Sequence, residues 1–145
     1  MRARPTVVLD TNVLESAMRS RLGASFAVLS LVGRGRFDVA ISVPMVLEYE
    51  EVLMRGVGRG SPRRTKTVVQ DVLDYLCTVG IWQEIFFLWR PTLPDADDDM
   101  VLELAVAAGC DLIVTYNIRD FGPAKRFGID IQTPAQFLEA IRGPA

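Results

Sequence analysis

Short apolar runs recur along the chain with helix-length segments between them, and this alternation narrows the possible folds more than any other feature. The runs are Thr6-Val7-Val8-Leu9, Phe37-Asp38-Val39-Ala40-Ile41, Ile85-Phe86-Phe87-Leu88, Leu112-Ile113-Val114 and Ile129-Asp130-Ile131. Continuous apolar strands are buried on both faces, which is the habit of parallel sheets whose crossovers carry helices. The intervening segments supply those helices. Phe26, Leu29 and Val32 follow helical spacing up to the terminators Gly33 and Gly35. Ser42 with Pro44 opens a helix over the apolar-periodic residues Val46, Leu47, Val52 and Leu53. Ser61-Pro62 reads as the start of a helix with Val68, Val69, Val72, Leu73 and Leu76 on its inner face. The acidic cluster Asp95–Asp99 opens a helix that ends near Gly109, and Thr133-Pro134 starts a closing helix with Phe137, Leu138 and Ile141. The expected architecture is a three-layer α/β/α arrangement around a central parallel sheet. No repeat or linker divides the 145 residues, so they are read as a single domain, 1–145.

Composition then excludes much chemistry. The chain has no histidine. Without imidazole, no Ser-His-Asp or Cys-His arrangement and no histidine-ligated zinc site can form. Cys77 and Cys110 form no metal-binding pair of cysteines and sit among apolar residues, so both are read as buried free thiols of a cytoplasmic protein. Arg2 and Arg4 precede an apolar run that Asp10 cuts short, which is no signal peptide, and no apolar stretch is long enough for a membrane span.

Carboxylates remain. In an open α/β sheet, ligands bind outside the carboxyl ends of the strands. Asp10 ends the first run, and Asp120 follows the Leu112–Val114 run after a short loop. Glu48 lies on the helix after the second run, and Asp98 in the first turn of the helix before Leu112. Each has an ordinary explanation: a helix cap for Asp10, dipole compensation for Asp98, a solvated face for Glu48, a turn for Asp120. Their convergence on one sheet edge is what these explanations leave over. Gathered carboxylates repel, and a bound cation relieves the repulsion. An all-oxygen set selects Mg²⁺ or Mn²⁺, ions suited to phosphodiester hydrolysis.

The motifs Val8-Leu9-Asp10-Thr11-Asn12-Val13-Leu14, Ser42…Glu48-Tyr49, Asp95-Ala96-Asp97-Asp98-Asp99 and Val114-Thr115-Tyr116-Asn117-Ile118-Arg119-Asp120-Phe121 resemble the PIN domain family. The similarity runs from about residue 6 to 137 and is greatest to its bacterial VapC-like subgroup, the toxin components of toxin–antitoxin systems. That resemblance implies a metal-dependent ribonuclease acting on single-stranded RNA. It also implies a small antitoxin partner and a homodimer. By resemblance Asp10, Glu48, Asp98 and Asp120 hold one or two Mg²⁺ or Mn²⁺ ions and carry catalysis, with Asp97 and Asp99 the next choices for the third acid. Asn12 and Thr115 are polar supports for ligands or substrate. Where many members carry an aspartate this chain has Asn117, an amide facing substrate in place of a charge.

The net charge of −2 conceals an asymmetry: residues 1–72 carry eleven Lys+Arg and seven acids, the remainder five and eleven. The basic excess peaks at Arg55, Arg59, Arg63, Arg64 and Lys66, around the glycine-rich stretch 55–61. Arg59, Arg63 and Arg64 are read as a flexible arm contacting RNA phosphates, positioning the strand without reading its sequence. Phe86, Phe87 and Trp89 are read as core or subunit interface. Two other functions compete. An aspartate-nucleophile phosphatase would want a second Asp where Asn12 stands, and a lysine that only Lys66 or Lys125 could supply. A non-catalytic PIN-like module binding RNA or protein would have no need of four carboxylates.

Overall fold

The computed structural model describes residues 4–59, 61–85 and 96–142. Strand β1 (Thr6–Leu9) leads through helices α1 (Thr11–Arg19) and α2 (Ala24–Leu31) to β2 (Asp38–Ile41). Helices α3 (Val43–Arg55) and α4 (Lys66–Val79) follow, then β3 (Ile81–Trp82), α5 (Ala96–Ala107), β4 (Leu112–Val114), a 3-10 turn over Gly122–Phe127, β5 (Asp130–Gln132) and α6 (Pro134–Arg142). The strands form one sheet in the order β3-β2-β1-β4-β5, with every pairing parallel. Helices flank this sheet in an α/β/α arrangement. Val7, Val8 and Leu9 of β1 and Ile113 and Val114 of β4 are wholly buried in succession, so both faces of the sheet centre are covered. Among the described residues no helix is long and apolar enough to cross a membrane.

The chain builds outward from β1 through β2 to β3, then returns across the sheet to add β4 and β5. The direction of winding therefore reverses between β1 and β4. At such a switch point the loops leaving neighbouring strands part and open a crevice at the carboxyl edge. Pairing of Leu9 with Val114 puts Asp10 and Thr115 side by side there, and the Asp10 N–H donates to the Val114 carbonyl at 2.9 Å.

Most expected elements form where the residues dictate. Ser42 caps α3 by accepting from the Met45 N–H at 3.3 Å, with Pro44 in the first turn. Gly33, Gly35 and Gly109 take positive φ where helices end. Phe37 packs edge-to-face on Phe137, centroids 5.0 Å apart, tying α6 to the start of β2.

Three expectations need correction. Helix α4 begins later than Ser61-Pro62: Thr65 is its cap, accepting from the Val68 N–H at 3.2 Å, while the Ser61 hydroxyl accepts from the Arg63 N–H in a local turn. On α4, Val69, Leu73 and Leu76 face the core, whereas Val68 is exposed. Strand β3 is Ile81–Trp82, which the apolar runs do not announce: these two exposed residues pair with Ala40 and Ile41, and Ile85 lies past the strand. Phe86, Phe87, Leu88 and Trp89 lie outside the described residues. Cys110 is buried, but Cys77 is only half-buried.

Candidate active site

Asp10 occupies the N-cap position of α1, yet its side chain makes no capping bond to that helix. Its carboxylate is turned instead toward the β4 end. The residue is 7% exposed, and its Oδ2 accepts from the Thr115 hydroxyl at 2.6 Å. The Thr115 oxygen in turn accepts from the Asn117 N–H at 2.9 Å and from the Asn12 side-chain amide at 3.5 Å. One donor and two acceptor positions exhaust a hydroxyl, so Thr115 has a single orientation, with its proton on Asp10. Asn12 closes the network by accepting from the Tyr116 N–H at 3.4 Å. The Asp120 N–H donates to the Asn117 carbonyl at 3.1 Å, which sets Asp120 at the end of the same loop.

The other two acids arrive on separate elements. Asp98 stands in the first turn of α5 and is 6% exposed; α5 packs on β1, β4 and α3. Glu48 is half-buried on α3. The next residue, Tyr49, is fully buried and donates to the Leu9 carbonyl at 2.6 Å, so α3 is bolted to the strand end that precedes Asp10. Burial pushes the Tyr49 hydroxyl well above its ordinary range, and the negative charge of Asp10 pushes it further. Both effects favour the protonated hydroxyl that donates to the Leu9 carbonyl. Asp99 is half-buried beside Asp98, while the side chain of Asp97 lies outside the described residues. Glu103, a further buried acid on α5, is five positions past Asp98 and so on another side of the helix.

Among the described residues no group of three or more acid or thiol side chains is set to hold a metal ion. Magnesium does not require one: it keeps several waters and takes one or two carboxylates plus substrate phosphate oxygens. The donors present are all oxygens, two of them on nearly buried aspartates, and this set fits a hard divalent cation.

The arginines depart from expectation. Arg59 and Arg63 are exposed, but Arg64 is not an arm: it is 4% exposed and its two terminal nitrogens donate to the two Glu15 oxygens at 2.9 and 2.8 Å. Nor is the glycine-rich stretch a free loop. Val57 and Arg59 N–H groups bond back to Met54 and Gly56 in consecutive turns, and a Cβ on Gly56 would collide with an Arg64 terminal nitrogen.

The sequence profile described as "PIN domain" matches residues 6–119, from the first residue of β1 to the loop carrying Asn117. The chain belongs to the PIN domain family. A search of curated proteins finds no match. Among solved structures, this PIN domain is similar to VapBC2 from Rickettsia felis bound to a DNA fragment from its promoter, at 16% identity and a TM-score of 0.55. That alignment covers 88% of this chain and 98% of the other. It is similar also to VapBC-1 from nontypeable Haemophilus influenzae, at 11% identity and a TM-score of 0.57, over 90% of this chain and 98% of that one. At these identities the likeness is one of fold.

Residue patterns alone do not single out three participants in the site. Tyr49 is legible only as part of a motif. The Ser25 and Ser16 hydroxyls, which meet the Tyr116 hydroxyl at 2.5 and 3.3 Å, carry no local signal, because α2 approaches the loop only in the folded chain.

Proposed function

We propose that this PIN domain is a metal-dependent endoribonuclease that hydrolyses phosphodiester bonds in single-stranded RNA, and that it is the toxin of a toxin–antitoxin pair. The observation that carries the reading is Asp10: a nearly buried carboxylate at the switch point of the sheet, oriented by Thr115 and making no capping bond to its own helix. A buried acid held this way serves chemistry better than it serves α1. Asp10, Asp98 and Asp120, with Glu48, are the residues that would hold Mg²⁺ or Mn²⁺. When bound, such an ion supplies an acidified water and neutralises charge on the phosphoryl oxygens.

The chain's own groups supply the rest. Thr115 keeps Asp10 Oδ2 in place through its proton, and Asn12 and Asn117 offer amide groups to the substrate beside it. Glu48 would help orient the attacking water so that it approaches the phosphorus in line with the leaving oxygen. Exposed Arg59 and Arg63 neutralise flanking phosphates; Arg64, committed to Glu15, holds them in place. The similarity to VapBC structures supports a small antitoxin as partner; a homodimer and a cytoplasmic setting belong to the same proposal.

The test is cleavage of a single-stranded RNA by the purified protein in Mg²⁺, in Mn²⁺ and in EDTA. The reading requires cutting with either ion and none with chelator, and Asp10→Asn must stay folded and lose the activity. RNA bound but uncut under every condition would establish the non-catalytic module instead.

A further inference from the structure

Between α1 and α3 runs a cleft of about 380 Å³ whose walls include Arg19, Arg55, Arg59 and Arg64, with Glu15 as the one acid among the described lining residues. Glu15 is already engaged by both terminal nitrogens of Arg64, so it offers no further charge to the other three. Arg55 leans on Glu51 only loosely, at 3.6 Å on an exposed face. Beyond the Arg64–Glu15 pair, three exposed guanidinium groups line this concave surface, and Glu51 offsets that of Arg55 only in part. Guanidinium forks match phosphate oxygens in pairs.

The position of this cleft matters as much as its charge. Glu15 lies four residues past Thr11 on α1, and Val52, another lining residue, lies four past Glu48 on α3. Residues four apart are neighbours on a helix face. Since α1 and α3 pack together, the cleft lies about one helical turn beyond Thr11 and Glu48 along these two helices.

The geometry points to a phosphate subsite: Arg19, Arg55 and Arg59 bind a backbone phosphate of single-stranded RNA adjoining the one at the acids, and the Arg64–Glu15 pair holds the cleft open. This rests on the RNA reading above. The subsite takes phosphate, not bases, so it fixes the path of the strand and adds no sequence preference.

The test is binding of a labelled single-stranded RNA octamer in EDTA, where no metal-dependent cutting occurs, across a salt series. Arg19→Ala, Arg55→Ala and Arg59→Ala together should weaken binding at least tenfold. They should also reduce the slope of log affinity against log salt by about 0.7 for each phosphate that is no longer neutralised. A charge-matched control, Arg34→Ala with Lys125→Ala and Arg142→Ala, should leave the slope as in wild type. All three cleft arginines are exposed, so the melting temperature should not move; it reports whether the variant folds. An unchanged slope in the folded cleft variant overturns the subsite. So does displacement of the RNA by an acidic peptide at lower concentration than by pyrophosphate, which would assign the cleft to a protein segment. No cleavage by the wild type in Mn²⁺, with the slope still reduced in the cleft variant, would sink the nuclease reading alone.

Discussion

Asp10, at the start of α1, and the arginine cleft, farther along α1 and α3, are built in opposite ways. At the edge, Asp10 is held by the backbone pairing of β1 with β4 and by a hydroxyl that has only one orientation. In the cleft, one arginine is buried and bidentate while Arg55 and Arg59 stay exposed on their stems. Under the proposed function, the difference follows from what each must do. In-line attack on phosphorus tolerates little misplacement of the reacting groups. Neutralising a flexible polyanion needs charge nearby and little else.

The largest effect that can break this contrast is at its hinge. Arg64→Ala should cost about 2–3 kcal/mol in denaturant unfolding, somewhat less than a fully buried pair because Glu15 is partly exposed. Cleavage by the remaining folded fraction should fall mainly through weaker RNA binding. If stability holds while turnover collapses, Arg64 belongs to the chemistry and the two regions do not divide in this way.

Thr115→Val sharpens the other side. It preserves shape and deletes the proton held on Asp10, so metal affinity or cleavage should drop about 10- to 100-fold. The unfolding free energy should change by no more than about 1.5 kcal/mol. A matching loss in RNA affinity without chelatable metal would show that the two regions are not separable.

Gly56→Ala should destabilise by about 1–3 kcal/mol, since the new methyl group and the Arg64 guanidinium cannot share the space. Tyr49→Phe should cost about 1 kcal/mol for the missing bond to the Leu9 carbonyl. It should also reduce metal affinity, because the strand end before Asp10 loses its anchor.

Legibility in the sequence follows the same contrast. Four strands are readable because a run such as Leu112-Ile113-Val114 is apolar on both faces and has one place to go. Asp10 is readable because its position is tied to a strand end. Arg64 is not: nothing local separates it from Arg59 and Arg63, and its burial depends on Glu15, forty-nine residues away. Helix α1 shows only Val13, Leu14 and Ala17 as an inward face, too short a pattern to stand out behind Thr11 and Asn12. Strand β3 is two exposed residues, too few to show a strand pattern. The start of α4 is ambiguous because Ser61-Pro62 and Thr65 both carry start signals, and only packing chooses between them.

The smallest effect concerns the thiols. Burial, with the neighbouring Asp111 charge, raises the Cys110 thiol to about 12. Its unfolded counterpart ionises near the ordinary thiol value, so this residue lowers stability progressively as pH rises from about 8.5 toward 12 and has no effect below that window. At pH 8 the half-buried Cys77 should be alkylated first, with Cys110 reacting only on unfolding. Mass spectrometry of the modified peptides reads the order directly.

The acidic edge is, on this reading, a cation site organised around Asp10. Melting temperature measured against Mn²⁺ concentration tests it without any assumption about substrate. A ligand that binds only the folded state raises stability with its concentration. The expected result is a saturating rise for the wild type and none for a folded Asp10→Asn variant. No rise in the wild type, or the same rise in both proteins, would contradict it.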